Sequence, residues 1–95
     1  MEGGRIPNKL KSYRRSCGFS QKKVARILRL ADTSSLSRWE HGESTPSLVQ
    51  VFRLSRIYHT HPHLLYDELW HRIESELGLS AQDEEPFSTN QSFCL

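Results

Sequence analysis

Cysteine is scarce in this chain, and its scarcity limits how the fold can be stabilised. The 95 residues include two cysteines, Cys17 and Cys94, which are too few and too far apart for a disulfide framework. No stretch approaches the roughly 18–20 consecutive apolar residues that a membrane-spanning helix needs. The N-terminal segment MEGGRIPNKLKSYRR lacks the apolar region of a secretory signal. We therefore expect a reduced, cytoplasmic protein without a membrane association.

Residue sets that enzymes use are also missing from the sequence. No Ser/His/Asp or Cys/His arrangement and no glycine-rich phosphate loop stands out, and one small domain leaves little room for a deep pocket. The segment HTHPHLL brings together His59, His61 and His63, with His71 further on, but this spacing is not that of a closed zinc site. We interpret these histidines as an exposed connection between helices. The sequence predicts no enzyme, no metal site and no cofactor.

Charges of both signs are present, but they are segregated along the chain. The net charge is +2, yet residues 1–56 carry 12 Lys/Arg against 4 Asp/Glu, whereas residues 57–95 carry 1 against 7. The basic part is an electrostatic footprint for phosphate groups, and the acidic part is expected to face solvent or a partner. Taken alone, the asymmetry is equally compatible with charges that only keep the protein soluble.

Helical spacing of apolar residues runs through most of the chain, without useful strand-like alternation. The first helix is predicted to hold Pro7 in its first turn and to end at Gly18. Ser20 is a good N-cap for the second helix, whose apolar residues share one side. Asp32 or Thr33 caps a short third helix, which ends at a glycine stop, Gly42.

Two further helices and two flanking segments complete the predicted fold. Thr45 is the predicted N-cap of the fourth helix and Pro46 its first residue, followed by apolar residues at Leu48, Val51, Phe52 and Tyr58. The fifth helix covers about residues 62–77, with a stripe of Leu65, Leu69, Ile73 and Leu77. We thus predict an all-α bundle of five helices over residues 7–77, a flexible N-terminus of residues 1–6 and a disordered acidic tail of residues 78–95.

The third helix is predicted to have an inward and an outward face. At about 100° per residue, Leu36, Trp39 and Glu40 share one side, and the other side holds Ser34, Ser37, Arg38 and His41. A carboxylate on the inward side is costly unless it is paired and hydrogen-bonded. The first helix offers Arg14 as the cation, so we expect a bidentate Arg14–Glu40 ion pair between these helices. The alternative is a Glu40 side chain at the surface.

Two segments of this pattern resemble the helix-turn-helix domains of phage repressors and Cro proteins, the XRE family. They are LKSYRRSCGFSQKKVARIL and LSRWEHGESTPSLVQVFRLSRIY, and together they contain S-Q-x-x-x-A, S-x-W-E-x-G and P-S-L. The resemblance extends from Leu10 to about Leu69 and implies a five-helix fold whose second and third helices form the DNA-reading unit. One departure is the turn from Ala25 to Leu36, which is one residue longer than usual and lacks the usual glycine within RLAD. The longer turn is expected to tilt the recognition helix or to delay its start.

The resemblance also implies which residues contact DNA. Gln21 matches the family's phosphate contact, and Lys22 and Lys23 add charge where helix N–H groups without internal partners favour an anion. Arg38 is the strongest candidate for base reading, because its fork can bond guanine O6 and N7 together, although a phosphate contact is the alternative. Thr33 and Ser34 are further base-reading positions, with helix capping as the alternative, and Ser37 lies on the same outward side. After the third helix, His41, Ser44 and Thr45 look like a loop that contacts the DNA backbone.

The fifth helix carries more apolar side chains than one small core absorbs. We expect Tyr66, Trp70 and Ile73 to pair with a second copy, which places two recognition helices about one DNA turn apart. Binding of another protein by this helix or by the acidic tail is the alternative. The leading function is a small repressor-like regulator of transcription that binds specific double-stranded DNA. The second is a protein-interaction module on the same fold, such as a toxin-neutralising antitoxin.

Overall fold

The computed structural model describes residues 5–79, and in that range the chain forms six α-helices and no strand. They are α1 (Leu10–Ser16), α2 (Gln21–Ile27), α3 (Ser34–Glu40), α4 (Leu48–Ile57), α5 (Pro62–Leu65) and α6 (Asp67–Glu76). The prediction of an all-α fold is confirmed. Residues 1–4 of the predicted flexible N-terminus, residues 80–95 of the predicted tail, and Cys94 lie outside the described residues.

One core is built from the first five helices. Helix α3 contacts both α1 and α2, while α4 packs against α5. Each of these helices contributes one side chain that is fully buried, namely Leu10, Val24, Leu36, Leu54 and Leu65. Burying such a side chain contributes about 1.5–3 kcal/mol. Helix α6 contributes no buried residue, and no helix in residues 5–79 is long and apolar enough to cross a membrane.

Short side chains at the helix starts explain where three helices begin. Ser20 caps α2 as predicted, since its Oγ accepts the N–H of Lys23 at 3.0 Å. At α3 the cap bond comes from Asp32, whose Oδ1 accepts the N–H of Ser34 at 2.9 Å. The first helix begins three residues after the predicted Pro7, because Asn8 Oδ1 accepts the N–H of Leu10 at 3.0 Å.

The predicted start of the fourth helix at Thr45 and Pro46 was wrong. Ser47 is the N-cap of α4, and its Oγ accepts the N–H of Gln50 at 3.2 Å. Serine followed three residues later by glutamine is the spacing of a capping box, and here it prevails over the Thr-Pro pair. The apolar residues predicted for this helix also differ in exposure, since Leu48 and Phe52 are exposed whereas Tyr58, just after the helix, is buried.

The predicted fifth helix is two helices, because the chain is not helical at Tyr66 (φ −123°, ψ 48°). The carbonyl of Leu65 accepts the backbone N–H of Lys9 at 2.8 Å, a contact with the segment before α1. That carbonyl would otherwise take the helical bond from residue 69. Asp67 and Glu68 then open α6, where negative charge suits the helix dipole.

Candidate nucleic-acid interface

Helix α2 ends in a turn that brings α3 alongside it. The N–H of Arg29 donates to the Arg26 carbonyl at 3.0 Å, and the N–H of Leu30 donates to the Ala25 carbonyl at 2.9 Å. These two bonds define a Schellman motif, whose turning residue is usually glycine in the left-handed region. Arg29 occupies that position with φ +62°. Arg29 is therefore the residue of RLAD that stands in place of the usual turn glycine, and α3 begins at Ser34.

Helix α3 has the two faces that its spacing predicts. Leu36 and Trp39 are buried in the core, and the Glu40 side chain is 2% exposed. Ser34, Arg38 and His41 are exposed on the other side, and Ser37 is half-buried. The outward face of α3 thus presents hydroxyl, guanidinium and imidazole groups while the carboxylate is directed inward.

The Glu40 carboxylate joins three helices. Arg14 of α1 donates from Nε to Oε2 at 2.6 Å and from Nη2 to Oε1 at 3.3 Å. Gln21 of α2 donates from Nε2 to the same Oε1 at 2.9 Å. The Arg14 side chain is 11% exposed, and its Nη1 donates to the Phe19 carbonyl at 2.8 Å. Both buried charges are therefore paired and hydrogen-bonded, which is the condition for tolerating them in a core.

Tyr58, the residue that follows α4, is the aromatic neighbour of this charged cluster. Burial, and then the negative charge of Glu40, raise the pKa of Tyr58 above the ordinary tyrosine range. Its hydroxyl is buried and has no hydrogen-bond partner among residues 5–79. The cluster is thus held in a largely enclosed environment, where charge-assisted bonds are strong.

The basic residues predicted on α2 are exposed and free of ion pairs in the described part of the chain. Lys22 and Lys23 are both exposed, and so is Arg26, which sequence reasoning missed. Arg26 lies four residues after Lys22, so the two share one side of the helix. A groove of about 490 Å³ between α2 and the turn is lined by both, together with Ala25, Leu30, Ala31, Asp32 and Thr33. The helical spacing alone was enough to indicate Arg26.

One acidic group borders this basic surface. The pKa of Asp32 is lowered from its usual value, first by the backbone N–H of Ser34 and then by the Ser34 side chain. Arg38 lowers it further through its charge. Asp32 is therefore ionised at neutral pH beside Thr33, and its charge disfavours a phosphate placed at that point.

His41 lies at the C-terminal end of the polar face of α3. Its Nδ1 lies 2.7 Å from the Ser37 carbonyl one turn earlier, so the ring donates from Nδ1 and leaves Nε2 for another partner. Ser44 is half-buried and Thr45 is exposed in the turn that follows. The three residues predicted to contact the DNA backbone thus lie along one short stretch after the recognition helix.

Residues 5–8, which we call the N-terminal strap, hold the end of α3. The N–H of Ile6 donates to the Gly42 carbonyl at 2.9 Å, and Asn8 Nδ2 donates to the Trp39 carbonyl at 3.1 Å. Arg5 Nη1 donates to the His41 carbonyl at 3.0 Å. The His41 and Gly42 carbonyls lie just beyond α3, where no helical donor follows, and the Trp39 carbonyl, which also accepts the N–H of Gly42 at 3.0 Å, gains a second hydrogen bond.

Gly42 allows the strap to pass this closely. Its φ is +77°, and a Cβ at this position would lie 2.5 Å from the Ile6 carbonyl oxygen. The sequence indicated the glycine stop but not the strap, because hydrogen bonds between residues so far apart leave no periodic pattern. Residues 5 and 6 of the predicted flexible N-terminus form part of this contact.

The residues predicted to form a dimer interface, Tyr66, Trp70 and Ile73, differ in how far they are exposed. Trp70 and Ile73 of α6 are 53% and 43% exposed, and Leu77 just beyond is 67% exposed. Tyr66 is half-buried and packs against the core. Burial raises the pKa of Tyr66 to about 12. Trp70 and Ile73 thus belong to an exposed apolar face on α6, and Tyr66 lies at its margin.

The histidines of the HTHPHLL segment are exposed, and His63 lies next to that face. The rings of His61 and His63 stack at 5.9 Å, and His63 lies 5.1 Å from the Trp70 ring. His71 is within 3.3 Å of carboxylate oxygens of both Asp67 and Glu74. Among residues 5–79, no group of three or more His, Cys, Asp or Glu side chains is placed to hold a metal ion.

Helices α2 and α3 are short and are joined by the turn of residues 28–33. The outward face of α3 is polar, and the cations on α2 have no ion-pair partner among residues 5–79. This arrangement defines the class of DNA-binding helix-turn-helix proteins. A helix-turn-helix family model matches residues 10–65, more than half of the chain. The chain belongs to this family, of the XRE type, and is a DNA-binding helix-turn-helix regulator. No curated protein sequence and no solved structure matches the chain significantly.

Proposed function

We propose that this protein represses transcription by binding specific double-stranded DNA sites with α3 in the major groove. The observation that carries the proposal is the outward face of α3. Its guanidinium, Arg38, is exposed and has no ion-pair partner among residues 5–79, while the only acid in that helix is directed into the core. A guanidinium presented in this way is suited to the major-groove edge of guanine.

The proposed contacts divide into base reading and positioning on the backbone. Arg38 reads a base, with Thr33, Ser34 and Ser37 beside it on the same helix. Gln21, Lys22 and Lys23 contact phosphates on one side of the groove. The turn after α3 contacts phosphates on the other side through His41, Ser44 and Thr45. Arg26 joins the first phosphate set, because it is exposed on the side of α2 that carries Lys22.

A comparison of two single substitutions tests these roles. Arg38→Ala should weaken binding to the preferred duplex by about 1–3 kcal/mol more than binding to a random duplex. Lys23→Ala, the matched control, should weaken both by a similar factor and reduce the slope of log affinity against log salt by about one. Equal losses on both duplexes for Arg38→Ala would assign Arg38 to phosphate instead.

We also propose that the exposed face of α6, formed by Trp70, Ile73 and Leu77, joins two copies of the chain. A two-fold dimer places the recognition helices on half-sites about one DNA turn apart. Trp70→Glu should therefore give a monomer in sedimentation at tens of micromolar and should lower the affinity for a two-half-site duplex. Phe52→Glu is the matched control, since Phe52 on α4 has the same exposed fraction, 53%, and lies outside this face.

The second candidate function is the protein-interaction module, and the same exposed face of α6 is the observation that favours it. Glu68, Glu74 and Glu76 occupy this helix, so its surface combines acidic and apolar groups. A wild-type chain that is monomeric in solution and binds DNA as one copy per site would favour a different protein on α6. A chain that binds no duplex under low salt would favour the module function over the repressor.

A further inference from the structure

The side chain of Gln21 lies between the buried Glu40 carboxylate and the place where the proposed function puts a DNA phosphate. It lies at the first residue of α2, beside the exposed Lys22 and Lys23, where the proposed function places a DNA phosphate. In the protein alone its Nε2 already donates to Glu40 Oε1 at 2.9 Å. A side-chain amide carries two N–H donors on its nitrogen. One donor is therefore held by Glu40, and the second is available to another acceptor.

The carboxylate determines which end of the amide faces which way. A carboxylate accepts hydrogen bonds only, so the amide nitrogen, and not the amide oxygen, must face Glu40. The bond to a charged acceptor is also stronger than one between neutral groups. Without this partner the amide is free to turn over and present its oxygen to a phosphate, which repels it. An orientation fixed in advance removes that unproductive state before DNA arrives.

Glu40 is itself held rigidly. Arg14 donates to both carboxylate oxygens, at 2.6 and 3.3 Å, and is fixed in turn by its bond to the Phe19 carbonyl at 2.8 Å. The Glu40 side chain is 2% exposed, so water does not compete effectively for its oxygens. The chain of bonds from Arg14 through Glu40 to Gln21 thus begins in the core and ends at the surface of α2.

We infer that Glu40 is a positioning residue for DNA binding, which orients the Gln21 amide so that its second N–H faces a backbone phosphate. The inference rests on the proposed DNA-binding function. The inference gives a second role to Glu40, a buried acid that does not touch DNA. The negative charge of Glu40 alone would disfavour DNA binding. The ion pair with Arg14 and the orientation of Gln21 are two uses of one carboxylate.

A double-mutant cycle on duplex affinity tests this inference. Gln21→Ala is expected to weaken binding about three- to tenfold, the range of one hydrogen bond. Glu40→Gln should weaken it to a similar extent, and the double variant should bind no worse than Gln21→Ala alone, because Glu40 acts through Gln21. Measurement at low temperature, with folding checked by circular dichroism, separates affinity from stability. Multiplying losses in the double variant would overturn the inference and leave Glu40 a structural residue.

A rescue experiment supplies a readout that a purely structural role would not move. An ammonium group offers only donors and has no wrong end, so Gln21→Lys does not depend on orientation. It should restore more affinity in the Glu40→Gln background than it adds to the wild type, by the same three- to tenfold factor. An equal gain in both backgrounds would overturn the orienting role.

A third measurement uses the unaltered chain and so does not depend on the folding of any variant. In the nuclear magnetic resonance spectrum of the ¹⁵N-labelled protein, one Gln21 amide proton should exchange slowly before DNA is added. The other should shift when a duplex is titrated in. If neither Gln21 amide proton shifts when a duplex is bound, the inference is overturned. If the wild-type chain binds no duplex, the proposed function itself is overturned.

Discussion

The buried ion pair between α1 and α3 gives the strongest prediction about stability. Glu40→Gln removes the charge while preserving the shape of the side chain, so Arg14 keeps its positive charge in a site where only 11% of its side chain is exposed. Breaking one side of a buried pair costs about 3–5 kcal/mol. Glutamine still accepts a hydrogen bond from Arg14, so we expect the lower end, about 3 kcal/mol. For a domain of this size, that corresponds to a fall in Tm of about 12–24 °C.

Thermal and urea denaturation followed by circular dichroism measure this loss directly. Glu43→Gln is the control, because it removes the same charge from an exposed pair. That pair joins Arg5 Nη1 to Glu43 Oε2 at 3.2 Å, with side chains 65% and 47% exposed. An exposed pair contributes at most about 1 kcal/mol. If Glu40→Gln melts within a degree or two of the wild type, or no lower than Glu43→Gln, the buried pair does not hold α1 to α3.

Three further predictions concern the backbone and a buried hydroxyl. Arg29→Gly should be more stable than Arg29→Ala by about 1 kcal/mol in urea denaturation, because glycine adopts the φ of +62° without strain. Both variants lose the same charge, so the comparison isolates the backbone. Equal stabilities would refute strain at this turn. Gly42→Ala should be clearly less stable than Gly18→Ala, since both have similar positive φ but only Gly42 has a backbone oxygen, that of Ile6, 2.5 Å from the added Cβ. Matching losses would mean that the strap yields without cost. Burial raises the pKa of Tyr66 from 10.0 to about 12, so its contribution to stability is complete below pH 10 and is lost as the pH rises towards 12. Tyr66→Phe should reduce the slope of the unfolding free energy against pH in that interval, and an unchanged slope would contradict the assignment.

Local signals in the sequence predicted the parts of the fold that local bonds determine. Ser20 caps α2 within three residues of itself, and Asp32 bonds to Ser34 two residues on. The inward face of α3 follows from helical periodicity, which is also local. The start of α4 also has a local signal, because Ser47 and Gln50 have the spacing of a capping box, although the Thr-Pro pair before them predicts an earlier start.

Contacts between distant residues account for what the sequence did not predict. The break at Tyr66 follows from the bond between Lys9 and the carbonyl of Leu65, which belong to opposite ends of the domain. The N-terminal strap has the same origin, since Ile6 bonds to Gly42. Neither contact has a periodic or compositional signature. Helical periodicity indicates which side of a helix is apolar. It does not indicate which backbone group of a distant segment will bond to that helix.

The candidate site shows the same division. The charge relation between Arg14 and Glu40 was expected from an acid on an apolar face and a nearby cation. The bond from Gln21 to that carboxylate was not, because it depends on how closely α2 approaches α3. Trp70 on α6 is exposed whereas Tyr66, just before that helix, is half-buried, although both follow the same apolar pattern in the sequence.

Selection of binding sites from random duplexes tests the central claim most directly, that α3 reads specific DNA. The wild-type chain and Arg38→Ala are used in parallel at one moderate salt concentration, because affinity depends steeply on salt. We expect the wild type to enrich an inverted repeat whose half-sites are about one helical turn apart, and Arg38→Ala to lose preference at one guanine in each half-site. Recovery of sequences no different from the random pool by the folded wild-type chain would contradict the account.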